Sequence, residues 1–286
     1  MGSQSINKQD LISGLRDLGV ASGIRLMVHS SLSSFGRVEG AAQTVVDALM
    51  ETVTPEGTLM MPSFNHEAPF RRGGPGYYHP GETPTINGAI PDCFWRLDGV
   101  NRSLDPTHPI AAWGKDARRY TEFHHRTLTM GPQSPLGMLG AEGGFGLLLG
   151  VGYEVNTYHH VVEMTTGAHC LGQRTEAYPV HLPDGRRVMG RTWGWRAGTC
   201  PLTDRVAYAP SMRALQRETR IGNSRVVLFR LEDCFGVIAR LLREGEDGFP
   251  PCSRCPIQTR RHPRTVETDW DAQNGCLKAD SEAWGY

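Results

Sequence analysis

Apolar residues fall at helical spacing near the start of the chain, where Leu11, Leu15 and Leu18 line one face of residues 8–18 before Gly19 ends the pattern. Residues 25–29 are a short apolar, strand-like run, and residues 58–61 are a second. Between them Ala41, Val45, Val46, Leu49 and Val53 mark one side of a helix over 40–53. A strand, a helix and a strand within about 35 residues make a crossover unit, the connection that parallel strands require. Residues 110–114 read as another strand, and 88–95 and 117–123 as helices. Residues 146–151 give the clearest strand, a glycine-bounded apolar run of the kind buried on both faces of a parallel sheet. Asn156, a good N-cap, then opens a helix through Met164. Residues 178–191 form a hairpin about Pro183, Asp184 and Gly185. Helices over 211–219 and 233–243 flank a strand at 225–231.

These elements predict an α/β fold with a central mixed sheet flanked by helices. Residues 65–85, rich in Gly, Pro, His and aromatic side chains, predict a smaller loop-rich lobe of the length that compact domains keep for function. We expect one domain over 1–248. Residues 249–286, polar and rich in Pro, Cys and Arg, read as an extension packed on it or partly mobile.

Charge narrows the classes of partner. Lys and Arg number 30, as do Asp and Glu, so no global field draws in a polyanion and nucleic acid is not expected. No stretch approaches the ~18 apolar residues of a membrane span, and none near the start resembles a signal peptide. The seven cysteines are odd in number and scattered, which suits a reducing cytoplasm. Cys252 and Cys255 form a Cys-x-x-Cys pair that a structural zinc would use only with two more ligands, from His262, Cys276 or Cys200. The second half of a zinc motif is not at standard spacing, so two free thiols are the expectation and no metal is assigned.

Two segments carry candidate chemistry. His160 and Glu163 are three apart, neighbours on one helical face, and Thr157 joins them from three residues before. A carboxylate beside an imidazole fixes its tautomer and favours the imidazolium formed in proton transfer. His159 is a rival base, since Glu163 is at its i+4 position, and spacing alone does not choose between the two. The order is not His-Glu-x-x-His, so a metalloprotease site is not indicated. The second segment runs through Ser30, Ser31, Leu32, Ser33, Ser34, Phe35, Gly36, Arg37 and Val38, between a strand and a helix start. Its hydroxyls and N–H groups suit a phosphate or an amide-rich chain, or form an ordinary connection. No Walker lysine and no Gly-x-Gly-x-x-Gly accompany it.

Three stretches, in order, resemble the aminoglycoside 3-N-acetyltransferase family. They are Met27-Val-His-Ser-Ser-Leu-Ser-Ser-Phe-Gly36 with Pro55-Glu-Gly-Thr-Leu-Met-Met-Pro-Ser-Phe64; Asn101-Arg-Ser-Leu-Asp-Pro-Thr-His-Pro109 with Gln133-Ser-Pro-Leu-Gly137; and Leu147-Leu-Leu-Gly-Val-Gly152 leading to Asn156-Thr-x-x-His160-x-x-Glu163. The resemblance implies acetyl transfer from acetyl-CoA to the 3-amino group of a 2-deoxystreptamine antibiotic, on a fold distinct from the more widespread acetyltransferase fold. It implies that His160 is the general base and Glu163 its support, and that the loop from Ser30 to Val38, with Ser134, meets coenzyme A. Thr157, or a backbone N–H near Ser31, would contact the oxyanion. The chain departs from the family pattern at Asp105, where many relatives have histidine, and at Pro109, where many have serine. Because aminoglycosides are polycations, an acidic acceptor pocket is expected, with Phe64, Asn65, Glu67, Tyr77, Asp92 and Asp105 as candidate substrate contacts and Glu82 and Tyr78 beside them. The same site would serve a biosynthetic or metabolic amine, or bind coenzyme A without turnover. A monomer or a homodimer is expected.

Overall fold

The computed structural model describes residues 5–166, 168–171, 173–175, 177–192, 196, 198–246 and 248–257, and the strand segments 265–268, 270–271 and 276–277. Helix α1 (Lys8–Leu18) starts with a capping box, in which Asn7 accepts from the Asp10 N–H and Asp10 accepts from the Asn7 N–H. It stops at Gly19, whose φ of 102° suits glycine. Strand β1 (Arg25–Ser30), helix α2 (Ala41–Val53) and strand β2 (Thr58–Pro62) form the crossover unit, with β1 and β2 parallel. Next come α3 (Ala89–Trp95), the two-residue β3 (Asn101–Arg102), β4 (Ile110–Gly114) and α4 (Ala117–Thr121). After α5 (Pro135–Ala141), β5 (Phe145–Leu149) runs parallel to β1, and α6 (Tyr158–Thr166) follows it. Beyond β6 (Gln173–Thr175), β7 (Tyr178–His181) and β8 (Arg187–Gly190) close the expected hairpin. The fold continues with α7 (Ala209–Met212), β9 (Gln216–Ile221), β10 (Ser224–Arg230) and α8 (Leu231–Glu244), and β11 (Thr265–Thr268) pairs with β6.

The main sheet has seven strands in the order β3-β4-β2-β1-β5-β10-β9. Three central strands, β2, β1 and β5, are parallel, and the flanking pairs are antiparallel, so the sheet is mixed. Alternation along the strands separates two cores. Leu26, Val28, Leu59, Met61, Leu147 and Leu149 face α1, α2 and α3, while Met27, Met60, Leu148 and Val227 face the side holding α5, α6 and α8. Phe249 is buried in this second core.

The helix expected at 211–219 is not one. Residues 216–221 form edge strand β9 against β10, and only Ala209–Met212 is helical. Helix-forming side chains were outweighed by pairing with a buried neighbour, on an edge whose side chains are mostly exposed.

The loop-rich lobe rests on the β7–β8 hairpin. Tyr78 N–H donates to the Pro179 carbonyl and His181 N–H to the Tyr78 carbonyl, and Tyr78 is buried with Val180 and Val188. Arg102 ties the lobe to the sheet by donating to the carbonyls of Ser63, Pro80 and Thr83, with its guanidinium lying over the rings of Tyr78 and Trp95.

Candidate active site

A cleft of about 510 Å³ opens at the carboxyl ends of the three parallel strands, where open α/β sheets place ligands. Ser30 ends β1, Pro62 ends β2 and Val151 follows β5, and all three line it. His159 and His160 reach it from the first turn of α6.

Glu163 lies one turn along α6 and is fully buried. Its Oε2 is 2.7 Å from Nδ1 of His160 and accepts from Nη2 of Arg196 at 2.8 Å. Its Oε1 accepts from Thr203 Oγ1 at 2.6 Å and lies 2.7 Å from Nη1 of Arg196. Burial alone would raise the carboxyl pKa, but the Arg196 guanidinium and the His160 hydrogen bond outweigh it and hold Glu163 well below the usual carboxylate range. A carboxylate so held requires the hydrogen of neutral His160 to sit on Nδ1, which leaves a lone pair on Nε2.

A second imidazole supports the start of α6. His29 Nε2 accepts from the Thr157 N–H at 3.3 Å and lies 2.6 Å from Thr157 Oγ1. Burial pushes its pKa down to about 4, so at neutral pH it is an uncharged acceptor. His108 faces the cleft from the 105–108 turn, and burial, with His66, His160 and His124 nearby, holds it well below the ordinary histidine range. Asp105 makes that turn. Its Oδ1 accepts from the N–H groups of Thr107 and His108, and its Oδ2 from Thr129 Oγ1.

A second cavity of about 520 Å³ lies against the first, sharing Ser30 and Gly88 and lined further by Ser31, Leu32, Ser33, Gly36 and Ala89. Ser30 Oγ is buried on the shared wall without a hydrogen-bond partner among the described residues, an orphan that an amide-bearing ligand would satisfy. The loop is held from behind by Ser34 Oγ, which donates to the Ser31 carbonyl and meets Ser224 Oγ.

The family model for aminoglycoside 3-N-acetyltransferase matches residues 27–243, most of the chain. The chain belongs to the aminoglycoside 3-N-acetyltransferase family. It is 36% identical over 174 residues to the SPbeta prophage-derived aminoglycoside N(3')-acetyltransferase-like protein YokD of Bacillus subtilis (strain 168). That alignment covers 54% of this chain and 64% of the relative, so the chain spans less than two thirds of that relative's length. It is 34% identical over 203 residues to aminoglycoside N(3)-acetyltransferase VII of Streptomyces paromomycinus, covering 65% of this chain and 69% of that one. Among solved structures, aminoglycoside acetyltransferase AAC(3)-Xa superposes with a TM-score of 0.73 at 27% identity, covering 84% of this chain and 94% of that one.

Of the residues the sequence singles out, the structure gathers His160, Thr157, Ser30 and Phe64 on the cleft, with Glu163 directly behind His160. Ser31, Leu32, Ser33 and Gly36 line the adjoining cavity. Ser34 and Phe35 belong to the same turn with the Phe35 side chain buried, Arg37 is exposed and Val38 is half-buried. Ser134 is buried as the N-cap of α5, accepting from the Gly137 N–H and donating to the Gly131 carbonyl. Four of the candidate substrate residues are engaged elsewhere. Asn65 bonds the Pro106 carbonyl and the Glu67 N–H; Glu67 accepts from Tyr178; Tyr77 stacks on His181 with ring centroids 3.9 Å apart; Asp92 pairs with Arg96. Asp105 is buried, held by its own turn and by Thr129, and the Tyr78 hydroxyl donates to the Ser103 carbonyl. Neither Glu67, Glu82, Asp92 nor Asp105 lines the cleft, and among the described residues the carboxylate that does is exposed Glu154.

Sequence reasoning did not find Arg196, Thr203, His29, His108 or Glu154. Among the described residues Cys252 and Cys255 form no disulfide, and no group of three or more metal-ligating side chains is found. Of the other zinc ligands considered, Cys200 is buried, and His262 and Cys276 have side chains outside the described residues. No helix among the described residues is long and apolar enough to cross a membrane.

Proposed function

We propose that this chain transfers the acetyl group of acetyl-CoA to the 3-amino group of a 2-deoxystreptamine aminoglycoside, in the cytoplasm, by direct attack with His160 as general base. The observation that carries this reading is the 2.7 Å contact of His160 Nδ1 with a carboxylate held ionised by Arg196, which makes Nε2 the proton-accepting nitrogen of neutral His160. His160 accepts the proton that the amine nitrogen loses as its bond to the carbonyl carbon forms. The C–S bond then breaks, and the departing thiolate leaves as a thiol with that proton. No acyl-enzyme is needed. General-base assistance of this kind is worth about 10²–10⁴-fold.

The loop of Ser30, Ser31, Leu32, Ser33 and Gly36 is the proposed seat of the pantetheine chain, supported by the unpartnered Ser30 hydroxyl and by the cavity that joins the loop to the cleft. Thr157 is the proposed oxyanion contact, its hydroxyl turning from the His29 Nε2 that holds it at the cleft wall to the developing negative charge. Glu154 gives a cationic acceptor its carboxylate there, and Phe64 an apolar wall. The names of the relatives above support an aminoglycoside as acceptor.

Thiol release from acetyl-CoA, followed with a panel of aminoglycosides and with simple metabolic amines, tests this. Turnover on aminoglycosides, with the added acetyl located on N3 by NMR, is expected. Turnover only on other amines would move the acceptor class, and coenzyme A binding without turnover would remove the reaction.

A further inference from the structure

His159 takes no part in the proton transfer above, yet its ring is built against the base. The Nε2 atoms of His159 and His160 lie 3.2 Å apart, with the two rings perpendicular at 89°. Two bare nitrogen lone pairs at that distance repel, so a hydrogen lies between them. Glu163 claims the Nδ1 hydrogen of His160, which makes His160 Nε2 the acceptor. The shared hydrogen therefore belongs to His159. Its other nitrogen, Nδ1, is then an acceptor 3.4 Å from the Tyr208 hydroxyl, which accepts from Asn156 Nδ2 at 3.2 Å and shares its one hydrogen between that ring and the Tyr153 carbonyl at 3.3 Å. The ring is 4% exposed, packed between α6 and Tyr208.

The charged and titratable groups around it leave it neutral. Burial and the neighbouring His160 push His159 well below the ordinary histidine range. Arg196 and His29 act in the same sense, and together they outweigh the attraction of Glu163.

We propose that His159 is a positioning residue: in the substrate-free protein its Nε2–H caps the Nε2 lone pair of His160, holding the base ring in place, and the acceptor amine displaces this cap to reach that nitrogen. The inference rests on His160 as the general base. The cap breaks one N–H···N bond and the amine replaces it with its own. Once His160 has taken the amine proton, its Nε2 no longer accepts, so the cap re-forms only after that proton has left with the thiol. The net proton balance of the reaction is unchanged.

The test is imidazole ¹⁵N NMR of histidine-labelled protein, with the His160 signals assigned by their loss in His160→Ala. The Nε2 resonance of His160 is expected to report an accepted hydrogen bond in the wild type. It should move toward the free lone-pair position in His159→Leu, and stay near its wild-type place in His159→Gln, whose amide N–H still donates. The acceptor KM should fall about twofold to tenfold in His159→Leu, the worth of one net hydrogen bond, with acetyl-CoA affinity unchanged. An unmoved resonance in His159→Leu, or equal changes in the leucine and glutamine variants, overturns the proposal. If the leucine variant does not fold, the wild type alone decides. The His159 ring N–H signal, protected in the free protein, should be lost on saturation with acceptor, and its persistence overturns the cap. Loss of the base reading would appear separately, as full transfer by His160→Ala while the wild type still shows the cap signal.

Discussion

Glu163 is a fully buried carboxylate satisfied by His160, Arg196 and Thr203. Removing Arg196 leaves that charge without its cation, and stranding a buried ion typically costs about 3–5 kcal/mol. Arg196→Met is therefore expected to lower unfolding stability in urea by that order, and the double variant Glu163→Gln/Arg196→Met to regain part of it. An additive double variant would show that the pair is not coupled. Half of this site was legible. The three-residue spacing of His160 and Glu163 announced a shared helical face, but both histidines satisfied the helical geometry, and only the coordinates show Nδ1 of His160 on the carboxylate and His159 turned to Tyr208. Arg196 and Thr203 follow Glu163 by 33 and 40 residues, with no periodicity to connect them. The candidate acidic residues of the loops were chosen by composition, and that says nothing of side-chain direction. Asp105 is turned inward to its own turn, and Asp92 pairs with Arg96 at the surface.

Among the elements, the loop between β1 and α2 depends on the end of β5. Gly150 has a φ of 67°, and a Cβ there would overlap the Ser34 hydroxyl that braces the loop. Gly150→Ala is expected to displace that loop, weakening coenzyme A binding by calorimetry while His160 and Glu163 stay paired. Unchanged affinity would separate the loop from the cofactor. Glycine-bounded β5, the crossover unit and the 178–191 hairpin could be read because burial and turn chemistry agreed with local propensity. Edge strand β9 could not, since its charged residues carry no apolar alternation and its state is set by β10. Helix α5 was also missed, being seven residues long with Pro135 and two glycines, and it is recognised by its Ser134 cap.

For the molecule as a whole, buried neutral histidines set the response to acid. His29 has its folded pKa lowered to about 4, against about 6.5 in an unfolded chain. Its contribution is fully present above about pH 6.5 and is lost as pH falls from there through about 4, because the unfolded chain takes up the proton first. For this residue alone the loss is on the order of 3 kcal/mol. His108, His124, His125 and His159 are shifted in the same direction. Glu163, held low, adds its loss only below about pH 4. The thermal midpoint is thus expected to decline already between pH 6.5 and 4, and His29→Gln to flatten that slope while lowering the midpoint at neutral pH. A flat profile down to pH 4 would contradict the burial of neutral imidazoles. The carboxyl-edge position of the cleft followed from the parallel strands that the sequence showed. Its histidine-rich wall did not, since His29, His108 and His160 come from three distant segments.

The most direct test of the account is the turnover of His160→Ala with acetyl-CoA and a 2-deoxystreptamine aminoglycoside, measured beside its affinity for coenzyme A. A loss of about a hundredfold or more in kcat with coenzyme A affinity retained is predicted. A near-normal kcat would contradict it and return the base to another group.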